Sequence, residues 1–252
     1  MKQLIFEYQM KLSFSDYVRE QQFQLKCLPQ NNLYQRVIDS QYTIYPLDTV
    51  SSFTDGFGNS TIAGSAITRH KEFRFNVKGI VEVDYSCCRQ EECHPIYRYE
   101  TELTRYCPEM ESLSSNAITF LEQMKEVMHK VHRFMQYQKN VTTIHTTACE
   151  AFGLRAGVCQ DFAHIMIAVC RHLGYPARYV AGMLYGEGET HAWIEVFFHH
   201  TWYGFDPAND RIVNDNYIVL AKGRDYQDCV IDKGIFLGNC TQKLDVSVSV
   251  KS

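Results

Sequence analysis

The chain has 252 residues, of which 45% are hydrophobic and 21% charged, as in an ordinary globular protein of one or two domains. Its formal net charge is −4 at pH 7, so bulk charge gives no basis for binding nucleic acid or an anionic membrane surface. No run of roughly 18 or more consecutive apolar residues occurs, so we expect no helical membrane span.

The first residues, MKQLIFEYQMKLSF, contain a short apolar run that Glu7 interrupts. They lack the long apolar region and small-residue cleavage site of a signal peptide. We therefore expect a cytoplasmic protein whose ten cysteines are reduced thiols rather than disulfides.

Alternating apolar and polar residues predict strands in the first third of the chain. The longest alternation runs from Leu4 to Phe14, and the sequence DGFGN at residues 55–59 is a strong turn signal. Further strands are predicted at Phe23–Leu28, Val37–Tyr45, Ser60–Ile67 and Phe73–Val83. Several short strands separated by turns predict a β-sandwich-like domain over residues 1–85.

Residues 86–113 are less regular and contain a small cysteine cluster of Cys87, Cys88 and Cys93, followed by His94. Thiolates and imidazole are zinc ligands, but adjacent cysteines do not match the usual spacing of a zinc knuckle. We interpret this segment as a linker that crosses between two domains, and the role of the cluster stays open.

Residues 114–252 are predicted to form the second domain. One of the polar residues 114–116 is expected to cap a helix from Ala117 onward. Its methionine-rich stripe is expected to pack on the core, and His129 and His132 to be exposed, since no further metal ligands accompany them. A second short helix is predicted within Val141–Phe152, and a final strand from Lys243 onward.

The stretch from Cys159 to Leu173 contains no Gly or Pro, and its apolar residues recur in steps of three and four. This pattern predicts a helix with a buried face, which ends at Gly174. Gly157 allows a tight approach of the backbone just before the helix. Cys159 is thus predicted at a helix N-terminus, where free amides and the helix dipole stabilise a thiolate or an oxyanion.

Two strands are predicted after this helix. His191 begins the first, which runs to Phe198, and residues 199–201 make a turn into a second strand that ends at Asp206. Because the turn lies midway between them, an antiparallel hairpin brings Asp206 back toward His191. A cysteine, an imidazole and a carboxylate in this order are the components of a thiol-based catalytic triad.

The motifs GVCQDFAH, ARYVAG, HAWIEVF and WYGFDPAN together resemble the core of the bacterial transglutaminase-like superfamily. The later GRDYQDCVIDKGIFLG resembles the segment that follows this core, and FQLKCLPQ, QRVIDSQYTIYP, DGFGN and VKGIVEV resemble the family's N-terminal β domain. The resemblance implies an α+β protein, with an N-terminal β-sandwich-like domain before a papain-like core of helix and antiparallel sheet. It also implies that Cys159 is the nucleophile, His191 the general base and acid, and Asp206 the carboxylate that orients His191.

The expected activity is acyl transfer from a peptide, protein or small amide through a Cys159 thioester, with hydrolysis favoured by the resemblance. The alternatives are a protein-glutamine transglutaminase, in which an amine replaces water, and a catalytically silent binding module of the same fold. Gln160 and Trp193 are tentative substrate or oxyanion residues, and no metal or cofactor is implied. Asp225, Tyr226 and Asp228 of the GRDYQD segment are expected either near the cleft or in structural hydrogen bonds.

Overall fold

The structure, a computed structural model, describes residues 1–86 and 90–252. The α-helices in this part of the chain are α1 (Phe120–Phe134), α2 (Ala148–Leu154) and α3 (Cys159–His172). The strands are β1 (Lys2–Leu25), β2 (Gln35–Tyr45), β3 (Thr49–Thr54), β4 (Ser60–Ala66), β5 (His70–Val83), β6 (Gln136–Tyr137), β7 (Ala156–Gly157), β8 (Ala177–Leu184), β9 (Gly186–Gly188), β10 (His191–Phe198), β11 (Thr201–Asp206), β12 (Arg211–Ile212), β13 (Tyr217–Gly223), β14 (Asp232–Leu237) and β15 (Gln242–Lys251). Among the described helices, none combines the length and apolar character needed to cross a membrane.

The first strand is 24 residues long and organises the N-terminal sheet. Two separate strands were expected here, but no Gly or Pro interrupts the chain before Pro29, so a single strand forms. Its register with β5 shifts between Ser13 and Val18, and the chain bends there. The first half of β1 pairs with β5 and β15, and the second half with β4 and β14.

The bend in β1 curls an antiparallel sheet of eight strands around its own apolar face. Phe23, from the second half of β1, packs on Phe73 of β5, which pairs with the first half; the ring centroids are 4.9 Å apart. β3 was missed by the sequence reasoning because its residues are all exposed and show no clear alternation. The expected α+β architecture is confirmed, with this curled sheet as its N-terminal β part.

The second sheet is antiparallel, in the order β12-β11-β10-β8-β13, and carries α3. Every residue of α3 from Gln160 to Arg171 is buried, as expected for a helix enclosed on all sides. Five apolar residues of α1, including Met124 and Met128, are buried against this core, so the packing role predicted for the methionine stripe is confirmed, while Leu121 is exposed. α3 is therefore the central helix, and its first residue is Cys159.

Helix α1 starts later than predicted, and α2 starts inside its predicted range and ends two residues beyond it. α1 begins at Phe120, where the hydroxyl of Thr119 accepts a hydrogen bond of 3.4 Å from the amide of Glu122. Ser115 does not cap the helix because its hydroxyl donates to Glu126, 2.6 Å away. α2 begins only at Ala148, where Thr147 and Glu150 form a reciprocal capping box.

The segment between the two sheets is held by buried arginines. Arg171 donates to the carbonyl of Tyr97 and to the hydroxyl of Thr104, at 3.1 and 2.7 Å. Arg178 pairs with the buried Glu195 at 2.6 Å and reaches Glu91 at 3.0 Å. These bonds tie the crossing segment to α3 and to the second sheet.

The zinc alternative concerned four residues of this segment. Cys87 and Cys88 lie outside the described residues. His94 accepts a hydrogen bond from the amide of Ile96 and caps a short 3₁₀ turn over Pro95–Arg98. Within residues 1–86 and 90–252, no group of three or more His, Cys, Asp or Glu side chains is placed to hold a metal ion.

The last two strands return to the N-terminal sheet. Residues of β15 pair with β1 from Ile5↔Lys251 to Phe14↔Gln242, and β14 pairs with the second half of β1. The short β9, which precedes His191 in the chain, pairs with β15. The domain division into residues 1–85, 86–113 and 114–252 stays a prediction, and the pairing shows that the first and third parts share one sheet.

Candidate active site

Cys159 occupies the first position of α3, and the local backbone is fixed by Asp161. The carboxylate of Asp161 folds back to accept hydrogen bonds of 2.7 Å from the amide of Val158 and from the hydroxyl of Thr142. A Cβ atom at Gly157 would lie 2.4 Å from Oδ2 of Asp161. Gly157 is therefore required by the close packing of this carboxylate, which sets the path of the chain into Cys159.

His191 and Asp206 are brought together by the hairpin of β10 and β11. Its turn residues, His199 and His200, both adopt left-handed conformations with φ of 44° and 62°, as in a tight two-residue hairpin. The register pairs Ile194 with Phe205, which places Asp206 beside the start of β10. Nε2 of His191 lies 2.7 Å from Oδ2 of Asp206.

Asp206 is fully buried and accepts hydrogen bonds from four directions. The hydroxyl of Tyr217 donates to Oδ2 at 2.9 Å, and the side-chain amide of Asn209 donates to the same oxygen at 2.8 Å. The backbone amides of Ala208 and Asn209 donate to Oδ1, both at 3.1 Å. Burial alone would raise the pKa of Asp206, but the bonds from His191, Asn209 and Tyr217 outweigh it and hold the pKa below its ordinary value.

The imidazole of His191 lies between this carboxylate and Cys159. Because Asp206 engages Nε2, Nδ1 is the ring nitrogen left to face Cys159, which lines the same cavity. Burial would lower the pKa of His191, but the hydrogen bonds with Asp206 and Cys159 raise it to about 10. The site therefore favours a protonated imidazole beside the sulfur atom.

Helix α1 anchors the loop that follows Asp206. Nδ1 of His129 lies 2.7 Å from Oδ2 of Asp210, and Nδ1 of His132 lies 3.1 Å from the carbonyl oxygen of Pro207. The side chain of His129 is 47% exposed, as the sequence predicted, while His132 is half-buried. The two histidines hold the loop that carries Asn209.

Cys159 and His191 both line a cavity of about 310 Å³, here called the catalytic cavity, whose walls also include Gln160, Tyr179 and Tyr226. Gln160 was one of two tentative substrate residues and is placed at this cavity, although only 9% of it is exposed. Trp193, the other, is fully buried and is not among the residues that line the cavity. A direct substrate contact for Trp193 is therefore wrong, because the side chains packed around its ring, among them Val180 and Tyr217, bury it completely.

The comparisons with known proteins point to one family. Residues 108–207 match the family model of the transglutaminase-like superfamily, and residues 5–82 match that of the bacterial transglutaminase-like N-terminal region. An uncharacterized protein of Mycobacterium tuberculosis (strain ATCC 25618 / H37Rv) is 30% identical over 263 residues, covering 88% of this chain and 84% of that protein. The chain belongs to the transglutaminase-like superfamily.

Two further relatives bear on the family's fold. An uncharacterized protein of Mycobacterium leprae (strain TN) is 37% identical over 126 residues, which is 46% of this chain and 45% of that protein. The crystal structure of "a Putative Cysteine Protease from Cytophaga hutchinsonii" superposes with a TM-score of 0.79 at 19% identity. This match covers 100% of our chain and 92% of the other, so the transglutaminase-like fold extends over both sheets.

Several residues around Cys159, His191 and Asp206 were missed by the sequence reasoning. Asn209 lies three positions after Asp206, and the quoted motif WYGFDPAN contained it; its Nδ2 atom lies 3.2 Å from Nε2 of His191. The contact of Tyr217 with Asp206 could not be predicted, because Tyr217 belongs to β13, two strands away from β10 in the sheet. Tyr137 lies beside the triad because β6 pairs with β7, which places it opposite Gly157.

Proposed function

We propose that this protein is a thiol-dependent acyl-transfer enzyme that hydrolyses a peptide or amide bond. Cys159 is the nucleophile, His191 the general base and acid, and Asp206 the group that orients His191. The name of the Cytophaga hutchinsonii structural neighbour supports hydrolysis over transfer to an amine. A cytoplasmic location with reduced cysteines is part of the same proposal.

The reaction has two halves. In the first, the Cys159 thiolate attacks the substrate carbonyl carbon and forms a C–S bond, while the C–N bond breaks and His191 donates its proton to the leaving amine. In the second, His191 takes a proton from water as its oxygen attacks the thioester carbon; the C–S bond then breaks, the carboxylic acid leaves, and the Cys159 thiolate remains beside the protonated His191. In the tetrahedral intermediates the oxyanion lies at the N-terminus of α3, where the amide of Cys159 is its donor.

One observation carries the proposal: the unbroken sequence of side chains from Cys159 through His191 to the buried Asp206, with the imidazole held protonated beside the thiol. A protonated imidazole next to a cysteine favours the thiolate, which is the reactive form. Tyr217, Asn209 and two backbone amides hold the carboxylate in place, so the imidazole has one orientation. A silent binding module has no need for such a network.

The test is turnover of peptide aminocoumarin amides, with and without a primary amine. We expect release of aminocoumarin by the wild-type protein and none by Cys159→Ala, with the free acid as the product. Cys240→Ala is the matched control, since Cys240 is half-buried and absent from the catalytic cavity. An amine adduct as the main product would instead identify a transglutaminase, and equal release by Cys159→Ala would overturn the proposal.

A further inference from the structure

A second, larger cavity adjoins the catalytic cavity. It has a volume of about 730 Å³ and lies between the inner face of the curled sheet and the 3₁₀ turn at Tyr226–Cys229. Its floor is apolar and buried, and consists of Met10, Phe23, Leu25 and Phe73. We call this cavity the acyl groove.

The acyl groove and the catalytic cavity lie on either side of the chain segment 226–232. Tyr226 lines both cavities, and Ile231 of the catalytic cavity stands between Val230 and Asp232 of the groove. The position of Tyr226 is fixed from the catalytic helix, because its backbone amide donates to Nε2 of His164 at 3.1 Å. Its two acidic neighbours serve the turn itself: Asp225 caps it, and Asp228 binds the amide and the guanidinium of Arg224.

Asp232 places a carboxylate in the lining of the acyl groove. This carboxylate is partly buried at the edge of the apolar floor, and burial raises its pKa to about 6. Within the described part of the chain it forms no ion pair, in contrast to Asp228, which is bonded to Arg224 at 2.8 Å. Lys233 is exposed at the rim, and among the described ion pairs none joins it to Asp232. A partly buried carboxylate without a cation favours a ligand that supplies one.

The direction of the substrate follows from the position of His191. A third cavity, of about 350 Å³, lies on the His191 side and is lined by Lys139, Glu189 and Asn209. His191 must protonate the leaving amine, so the amine side of the scissile bond extends toward this third cavity. The acyl side then extends in the other direction, past Tyr226.

We propose that the acyl groove binds the acyl side of a peptide substrate, with apolar side chains on the floor and a lysine or arginine side chain at Asp232. The inference rests on the proposed function, because the direction of the peptide is taken from the catalytic role of His191. It names the substrate class that the hydrolytic site prefers: peptides that are apolar and basic on the acyl side of the cleaved bond.

The test measures binding rather than turnover, in a Cys159→Ala background. The probes are fluorescein-labelled tetrapeptide amides of leucine and alanine, with one lysine placed in turn at each of the four positions. Each has a partner with norleucine at that position, which keeps the apolar stem and removes the charge. At one position we expect lysine to bind at least about tenfold more tightly than norleucine, the effect of one charge-assisted hydrogen bond.

Asp232→Asn is expected to abolish this preference, so that the lysine and norleucine peptides bind equally well. Asp232→Ser is a second variant, in case the amide alters the fold. Asp245→Asn is the matched control, because Asp245 is an exposed residue of β15 outside the groove, and it should keep the preference. Equal binding of lysine and norleucine at all four positions, absence of binding, or a preference that survives both Asp232 variants would overturn the inference.

The outcomes separate this inference from the proposed function. A lysine preference that depends on Asp232, without turnover by the wild-type protein, would support the groove and contradict the enzyme. Turnover that depends on Cys159, without any lysine preference, would support the enzyme and contradict the groove.

Discussion

The hydroxyl of Tyr217 donates a hydrogen bond of 2.9 Å to Oδ2 of Asp206, although two strands separate β13 from β11 in the sheet. The tyrosine reaches across the sheet beside the buried Trp193, whose ring centroid lies 5.2 Å from its own. The carboxylate of Asp206 is thus held by Tyr217 from the side of β13 and by Asn209 from the loop that follows β11. This relationship makes Tyr217 a positioning residue for the proposed reaction.

Tyr217→Phe removes this bond while keeping the ring and its packing. We expect kcat for an aminocoumarin peptide to fall by roughly five- to tenfold with little change in KM, since one hydrogen bond to a charged group is lost. The pKa of Asp206 should rise, because the hydrogen bond from Tyr217 helps to lower it, so the pH profile of kcat/KM should shift as well. Tyr42→Phe, on the exposed face of β2, is the control, and an unchanged pH profile for Tyr217→Phe would contradict the positioning role.

Gly157→Ala tests the approach of the chain to Cys159. The added Cβ would meet Oδ2 of Asp161 at 2.4 Å, so the carboxylate must move and release the amide of Val158. We expect a loss of about 1–3 kcal/mol in the free energy of unfolding, and a loss of activity at temperatures where the variant is fully folded. Gly153→Ala is the matched control, because a Cβ there meets nothing within 4 Å and lies in α2, where alanine should stabilise the helix. Full activity of folded Gly157→Ala would show that this contact does not position the nucleophile.

The raised pKa of His191 predicts how the protein responds to pH. The folded pKa of about 10 exceeds the ordinary value of 6.5, so the stabilisation from this imidazolium is complete below pH 6.5 and is lost as the pH rises toward 10. Nuclear magnetic resonance of ¹⁵N-labelled histidine should show His191 protonated on both ring nitrogens at neutral pH. Cys159→Ala should lower its pKa, because one hydrogen-bond partner and its charge are removed, whereas Cys240→Ala should not. A midpoint near 6.5 in the wild-type protein would contradict the electrostatic account of the site.

The raised pKa of Asp232 predicts a second pH dependence of stability, which arises from a buried carboxylate rather than from an imidazolium. Burial raises its pKa from 3.8 to about 6, so the folded protein holds this proton more tightly than the unfolded chain does. The free energy of unfolding should therefore fall as the pH rises from about 4 to about 6, by about 2 kcal/mol for this group, and stay lower above that range. Asp232→Asn removes the effect, so the variant should match the wild type near pH 4 and be more stable at pH 7. Denaturant unfolding at both values measures this difference, and equal stability at pH 7 would show that the carboxylate is well solvated.

The helix and hairpin that carry the triad were predictable because their signals are local. The steps of three and four after Cys159, and the strands on either side of His199 and His200, each fix one element, and the hairpin alone brings His191 to Asp206. The helix starts were less certain because several serines and threonines compete as caps, and only tertiary contacts engage Ser115 elsewhere.

The pairing of strands that are distant in the chain could not be predicted. Ile5 pairs with Lys251 across nearly the whole chain, and no local pattern indicates that partner. The same limit explains why the burial of Trp193 was not predicted. Its position two residues after His191 correctly placed it on the same side of β10, but the side chains that bury it, such as that of Tyr217, come from other strands. Tyr217 and the acyl groove were missed for the same reason, since both depend on how separate elements are packed.

The most direct test of the central claim is the reactivity of Cys159 toward iodoacetamide at about pH 6, mapped by mass spectrometry on the folded protein. A thiolate held by His191 should react at least about tenfold faster than the ordinary thiol of Cys240, because the thiolate is the nucleophile. His191→Ala should remove most of that advantage while leaving Cys240 unchanged. Equal rates at Cys159 and Cys240 in the wild-type protein would mean that no activated thiol exists, and the chain would then be a transglutaminase-like binding module.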